Sequence, residues 1–133
     1  MEMISNEEKI TQAVLVSVDT GDYDAEASLA ELKELVKSAG AEPVFTVTQN
    51  LKRPETGTYV GTGKLQEIAD ICKQQEIDLL VFDCELSPTQ IRNIEAETDT
   101  RTIDRTMLIL DIFALRARSK EGKLQVELAQ LKY

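Results

Sequence analysis

The chain alternates between short apolar runs of high β-propensity and longer stretches whose apolar residues recur every three or four positions. Residues 13–18, Ala-Val-Leu-Val-Ser-Val, read as a first strand, closed by the turn cluster Asp19-Thr20-Gly21-Asp22. From Ala25 to Ala39, residues Leu29, Leu32, Val36 and Ala39 fall on one helical face, and Gly40 supplies a stop. Residues 43–49, with Val44, Phe45 and Val47, read as a second strand, and Asn50 to Gly57 as a polar loop containing Pro54. A second helix spans Lys64 to Gln75, with Leu65, Ile68, Ala69 and Cys72 on one face. Asp78 to Phe82 is nearly all apolar, as in a strand covered on both faces. Ser87-Pro88-Thr89-Gln90 is a helix start: Ser87 caps, Pro88 suits the first helical position, and Gln90 completes a capping box. That third helix carries Ile91 and Ile94 and runs to about Thr98. Arg101 to Asp104 reads as a short fourth strand. Met107 to about Ala117 is apolar nearly all round, which predicts a buried helix. After Ser119-Lys120-Glu121-Gly122 a new helix is expected, with Leu124, Leu128 and Leu131 at helical spacing.

Strand and helix repeated four times predict an α/β fold: a small four-stranded parallel sheet flanked by helices, followed by the beginning of a long C-terminal helix. The expected organisation is a flexible N-terminus at 1–12, an α/β domain at 13–118 and the start of the long helix at 119–133. The last stretch reaches Tyr133 with no terminating Gly or Pro. It is therefore expected to continue in the natural protein or to dock on another chain, and a bare leucine stripe would pair two copies as an artefact.

Composition narrows the function. A chain of 133 residues, 42% of them apolar, suits one domain with a core. No stretch reaches the roughly 20 apolar residues that span a bilayer, and Met1 to Gln12 lacks the basic and apolar regions of a signal peptide. The two cysteines, Cys72 and Cys84, form no motif and read as thiols of a reducing compartment, so a cytoplasmic location with no membrane partner is expected. The absence of histidine removes the commonest metal ligand and the commonest general base. The net charge of −9 argues against a general nucleic-acid surface. Residues 1–100 hold 8 Lys/Arg and 20 Asp/Glu, whereas residues 101–133 hold 7 and 4. Contact with a polyanion is therefore expected from the C-terminal third. From charge alone, Arg116, Arg118, Lys120 and Lys123 solvate a helix junction.

Three patterns are candidates for chemistry. Gly57-Thr58-Tyr59-Val60-Gly61-Thr62-Gly63-Lys64 opens the second helix, where backbone amides and a nearby Lys can cradle a phosphate or RNA backbone. It is not a P-loop: Gly57 and Gly63 enclose five residues, and Leu65 rather than Ser or Thr follows Lys64. The alternative is a glycine-rich turn with no ligand, in which Tyr59 packs instead of stacking on a base. Asp19, Asp83 and Asp104 follow three strands and so lie along one edge of a parallel sheet, where ligands usually bind. Asp19 and Asp83 are similar to the acidic Mg²⁺ pocket of phospho-receiver domains, without the paired acids or the fifth-strand Lys. They read equally as strand terminators and helix caps. No nucleophile is set up for catalysis, since there is no G-x-S-x-G elbow, no C-x-x-C and no histidine base.

The C-terminal third is the specific part. Ile103-Asp104-Arg105-Thr106, Leu108-Ile109-Leu110-Asp111-Ile112-Phe113, Arg116-Ala117-Arg118 and the run from Glu121 to Leu131 closely resemble the HflX family of GTPases. Thr58 to Lys64 looks like that family's Gly-rich turn, and Asp83-Cys84-Glu85-Leu86-Ser87-Pro88-Thr89-Gln90 like its D-x-E-L-S-P-x-Q stretch. The resemblance implies an N-terminal sheet domain, then two long antiparallel helices, then a Ras-like GTPase domain that uses GTP and Mg²⁺. It implies association with the large ribosomal subunit and its rRNA, in splitting or rescuing stalled ribosomes, and contact with the protein's own C-terminal GTPase domain. On this reading the chain is a binding and positioning module with no GTPase activity and no cofactor of its own. The phosphate or RNA candidates are Tyr59, Gly61, Gly63, Lys64, Arg105, Arg116, Arg118, Lys120 and Lys123. Arg105, beside Asp104 at a helix start, is also placed to pair with a carboxylate in the fold. The alternative is a nucleotide- or Mg²⁺-binding regulatory domain using the Gly-rich turn and the sheet-edge aspartates. ATP binding by this domain has been proposed within the family.

Overall fold

The computed structural model describes residues 10–117. Four strands and four helices follow one another: β1 (Thr11–Asp19), α1 (Ala25–Ser38), β2 (Ala41–Asn50), α2 (Thr62–Gln74), β3 (Leu79–Phe82), α3 (Pro88–Thr98), β4 (Arg101–Asp104) and α4 (Arg105–Ala117). The sheet order is β2-β1-β3-β4 and every pairing is parallel. The α/β sheet expected from the sequence is thus present. The expected helix at 119–133 lies outside the described residues.

The strand order decides where each helix packs. The chain moves from β1 outward to β2, then back past β1 to β3. Right-handed crossovers therefore place α1 on one face and α2 and α3 on the other. The two apolar clusters follow that division. Val14, Val16, Val18, Leu80 and Phe82 meet Leu65, Ile68 and Cys72 of α2 and Ile94 of α3. Ala13, Leu15, Leu79, Val81 and Ile103 meet Leu32 and Val36 of α1 and Leu108 and Ile112 of α4. β1 and β3 are covered on both sides, which is why their sequences run apolar without alternation. β2 lies at an edge, is half-exposed, and skips one residue of register between Ala13 and Val14, where Val44 is extra.

Local signals set the helix ends. The Asp24 side chain accepts from the Ala27 amide to cap α1. Ser87 and Gln90 form the capping box of α3, with Pro88 in its first turn. α4 begins directly after β4 with no intervening loop, because Asp104 Oδ1 accepts the Met107 amide at 2.9 Å and acts as the cap. One expectation is overturned here. α4 was expected to be buried on the strength of its all-round apolar sequence, but it lies on the surface. It buries Leu108 and Ile112 and leaves Leu110 and Phe113 60% and 58% exposed. β4 is the last strand, so within residues 10–117 no further layer covers the outer side of this helix.

Candidate functional site at the carboxyl edge of the sheet

The switch in strand order falls between β1 and β3, and their carboxyl ends are where an α/β sheet usually binds ligands. The residues singled out from sequence gather along this edge, in two networks on opposite faces of the sheet.

The first network lies on the α1/α4 face. Asp83 follows β3 directly, and its side chain is 1% exposed. Its Oδ1 accepts from Arg105 Nη1 at 2.6 Å. Arg105 also bonds the hydroxyl and carbonyl of Ser28 on α1, at 3.3 and 3.4 Å, and pairs with Glu31 one turn further on. One guanidinium thus ties the start of α4 to β3 and α1. Burial pushes the Asp83 carboxyl above its ordinary value, with a hydrogen bond from the Ser28 side chain acting the other way. Asp83 Oδ2 and the hydroxyl of Ser17 are both buried without a hydrogen-bond partner among the described residues.

The second network lies on the α2/α3 face. Asp104 Oδ2 accepts the Leu86 amide at 2.8 Å, so this carboxylate holds the β3–α3 turn as well as capping α4. Gln90 serves twice. Its Oε1 accepts the Ser87 amide in the capping box, and its Nε2 donates to the carbonyls of Glu55 and Thr56. Asn93, one turn along, donates to the Gly57 carbonyl at 3.0 Å. α3 therefore holds down the loop between β2 and α2. That loop closes on itself through paired Glu55–Tyr59 backbone bonds of 3.0 Å. Tyr59 takes a left-handed backbone (φ 66°) and sets its ring edge-on to Phe82, with centroids 6.3 Å apart. A left-handed conformation is uncommon for a side chain of this size and persists where surrounding contacts enforce it.

The Gly-rich turn is knitted into the same fabric. The Gly61 amide donates to Gln49 Oε1 at 2.9 Å, and a β-carbon at Gly61 would stand 3.2 Å from that side chain. A larger residue here would require the Gln49 amide on β2 to shift by a few tenths of an ångström. Lys64 pairs with Glu67 one turn along α2 at 2.9 Å. Asp19 accepts the Gly21 amide and shapes the turn after β1. Asp19, Asp83 and Asp104 each serve a separate local partner, and among the described residues no group of three His, Cys, Asp or Glu is placed to hold a metal ion. Cys84 is largely enclosed. Burial pushes its thiol up to about 12, with a hydrogen bond from Tyr59 acting the other way. The raised thiol keeps its proton at neutral pH, which disfavours the thiolate that nucleophilic chemistry needs.

Two open pockets flank the helices at this edge, and a third, of about 410 Å³, is lined by Asp19, Gly21, Asn50 and Lys52 at the ends of β1 and β2. One, of about 460 Å³, lies between α2 and α3 and is lined by Thr58, Thr62, Leu65, Asn93 and Glu97. The other, of about 540 Å³, lies between α3 and α4 and is lined by Leu86, Ile91, Glu95, Asp104 and Met107. Neither joins the Gly-rich turn to the aspartates. Of the basic candidates, Arg105 is committed to the first network, and Arg116 lies in the last turn of α4. Arg118, Lys120 and Lys123 lie outside the described residues. Sequence reasoning missed Ser28, Glu31, Gln49 and Asn93, which complete both networks. The one signal was the spacing of Ser28 and Glu31, a single helical turn that puts both on the same side of α1.

Comparison with known proteins then locates the chain. Residues 26–114 match the family model described as GTP-binding GTPase N-terminal. The chain is 53% identical over 133 residues to GTPase HflX of Lacrimispora saccharolytica, covering 99% of this chain and 31% of that protein. It is 51% identical over 123 residues to GTPase HflX of Escherichia coli K12, covering 92% of this chain and 29% of that one. Among solved structures it is similar to a GTP-binding protein from Sulfolobus solfataricus in complex with GDP, at 33% identity and a TM-score of 0.62. That match covers 93% of this chain and 37% of the other. The chain thus spans about 30% of the length of the HflX proteins it matches.

Proposed function

This chain belongs to the HflX family of GTPases as its N-terminal domain, and from that premise we propose that it is the module that positions such a GTPase on the large ribosomal subunit, without hydrolysing GTP itself. The observation that carries the reading is the use of the family-like motif residues. Asp83, Gln90, Asp104 and Arg105 are spent on partners inside the domain, so the motifs build a rigid platform and not a reaction centre. GTP and Mg²⁺ belong to the longer polypeptide of the family.

Charge divides the labour within the chain. Residues 10–117 hold ten Lys/Arg and nineteen Asp/Glu, a surface that repels RNA. Residues 118–133 hold four Lys/Arg against two Glu. Contact with rRNA is therefore assigned to Arg118, Lys120 and Lys123, which follow α4 in the sequence. The test is co-sedimentation of the chain with purified large ribosomal subunits at low and moderate salt, beside an equally acidic unrelated domain. Pelleting that fades with salt, and is lost in the Lys120→Glu, Lys123→Glu double variant, is expected. Pelleting no greater than the control at low salt overturns the proposal.

A further inference from the structure

The two edges of the sheet differ in what they leave open. β4 is four residues long, and its outward amide at Thr102 donates to Glu95 Oε2 of α3 at 2.9 Å. β2 is ten residues long and, among the described residues, pairs only with β1. The Leu51 amide turns inward to the Asp19 carbonyl at 3.2 Å. Alternation along the strand then turns Val47 and Gln49 inward as well, and leaves the backbone groups of Thr46, Thr48 and Asn50 facing outward. Such a row is a template for a further strand, and natural edges are ordinarily blunted by charged side chains, lysine above all. Here Pro43 to Leu51 is a run of nine residues without a charge, in a chain of which 29% is charged. Phe45 in that run is 41% exposed.

We propose that β2 is the surface through which two copies of this chain pair, antiparallel, about a two-fold axis at Val47. The charges that bound the uncharged run select this occupant and its register. Glu42 precedes the run, and Lys52 and Arg53 follow it. An antiparallel self-pair centred on Val47 sets Glu42 of each copy opposite Lys52 of the other, so the edge is complementary to itself at both ends. A parallel partner, or a strand of uniform charge, would leave one end facing a like charge. The backbone agrees with this register. It opposes Thr46 to Thr48 of the second copy, and both carry outward groups, as a hydrogen-bonded antiparallel pair requires. A slip of one residue would set outward groups against inward ones. Cross-strand Thr–Thr and Val–Val pairs add to the contact. The net acidity of the two copies opposes their approach, but at about 150 mM salt that repulsion is screened beyond roughly 8 Å, whereas the end charges lie side by side.

The test is sedimentation equilibrium of the full chain at up to about 200 µM, because one strand pair is a small interface that binds weakly. A reversible dimer is expected, and a monomer at every concentration overturns the proposal. Thr46 and Thr48 are exposed, so replacing them leaves the core intact. Thr46→Lys with Thr48→Lys sets like charges opposite one another and is expected to weaken the dimer roughly tenfold or more, although it lowers the net acidity. Glu42→Lys is expected to weaken it roughly threefold, and Glu42→Lys with Lys52→Glu to restore it. No recovery in the exchanged variant overturns the pairing about Val47. A dimer that Leu128→Asp abolishes and the paired lysines leave intact assigns association to the C-terminal segment and overturns the proposal too. Amide exchange read residue by residue supplies a check without substitution. Raising the concentration is expected to slow exchange at Thr46 and Thr48 and to leave the inward amide of Val47 unchanged, and equal behaviour of the three counts against β2 as the interface.

Discussion

At the scale of single residues, the edge of the sheet is governed by desolvated groups that must be matched. Asp83 and Arg105 are 1% and 23% exposed, so removing the carboxylate takes the buried one of its two acidic partners from a partly desolvated cation and leaves it the exposed Glu31. Asp83→Ala is expected to lower the unfolding free energy by about 2–3 kcal/mol, less than a fully buried pair would lose. Asp83→Leu combined with Arg105→Met is expected to recover at least half of that, because a packed apolar pair needs no compensation. Urea unfolding of the three proteins checks both, and a double variant no better than the single would mean that the pair is not the source of the loss. Cys84 gives a pH effect of definite sign. Its folded thiol is raised to about 12, above the roughly 8.5 of an unfolded cysteine. Between those values the unfolded chain has lost a proton that the folded chain keeps. Its stabilising contribution is therefore complete below about pH 8.5 and is lost as pH rises towards 12. Cys84→Ala is expected to show a shallower loss of stability over that alkaline range, read from unfolding midpoints at successive pH values. Identical slopes would show that Cys84 does not couple folding to pH. Asp83, Asp104 and Arg105 were legible as residues of interest from their places after strands. A carboxylate partner for Arg105 was legible, and Asp83 and Glu31 supply it; which ones, and Ser28 besides, were not, because Ser28 and Arg105 stand 77 positions apart and only the closed sheet brings them together.

At the scale of elements, what was legible followed from local chemistry. The capping box of α3 was readable from Ser87, Pro88 and Gln90 alone, since a cap is a contact between near neighbours in sequence. The second use of Gln90 was not readable, because Glu55 and Thr56 lie about 35 positions away. The two roles can be separated by chemistry. Gln90→Glu keeps an acceptor for the Ser87 amide but loses the donor to the loop, whereas Gln90→Ala loses both. The glutamate is expected to raise amide exchange at Glu55 and Tyr59 at least fivefold, with a stability change of about 1 kcal/mol. The alanine is expected to add the cap loss, about 1 kcal/mol more. Exchange by hydrogen–deuterium mass spectrometry, with denaturant unfolding beside it, decides the matter; equal behaviour of the two variants would mean that Gln90 acts through the cap alone. α4 shows the opposite case. Its all-round apolar sequence pointed to burial, but hydropathy reports what a helix can cover and not what has been supplied to cover it. The exposed face of Leu110 and Phe113 is where that reading and the fold part.

At the scale of the whole molecule, the parallel sheet was legible because four strand–helix repeats admit few other solutions. The strand order was not, since no local signal tells the chain to return past β1 after β2. That return creates the switch between β1 and β3 and so gathers Asp83, Asp104 and the Gly-rich turn at one edge. The resemblance to a GTPase family made the motifs conspicuous. The fold shows that they are spent largely on internal bonds, which a motif alone could not reveal. Charge gives the last test at this scale. Residues 10–117 carry nine more acids than bases, and the ion pair of Asp83 is shielded from solvent. Self-repulsion across the surface is screened by salt, whereas a buried pair is screened far less. Added sodium chloride is therefore expected to stabilise the fold. Between about 10 and 150 mM, where the screening length falls from about 30 to 8 Å, the melting temperature should rise by a few degrees. A fold held chiefly by exposed ion pairs would respond in the opposite direction, since salt weakens those pairs. Thermal unfolding of the wild-type chain and of the Asp83→Ala variant separates the causes. Both are expected to gain with salt by similar amounts, because the repulsion comes from the surface and not from Asp83. A fall in melting temperature with salt would mean that exposed ion pairs such as Lys64–Glu67 and Lys37–Glu34 outweigh the net acidity of the domain.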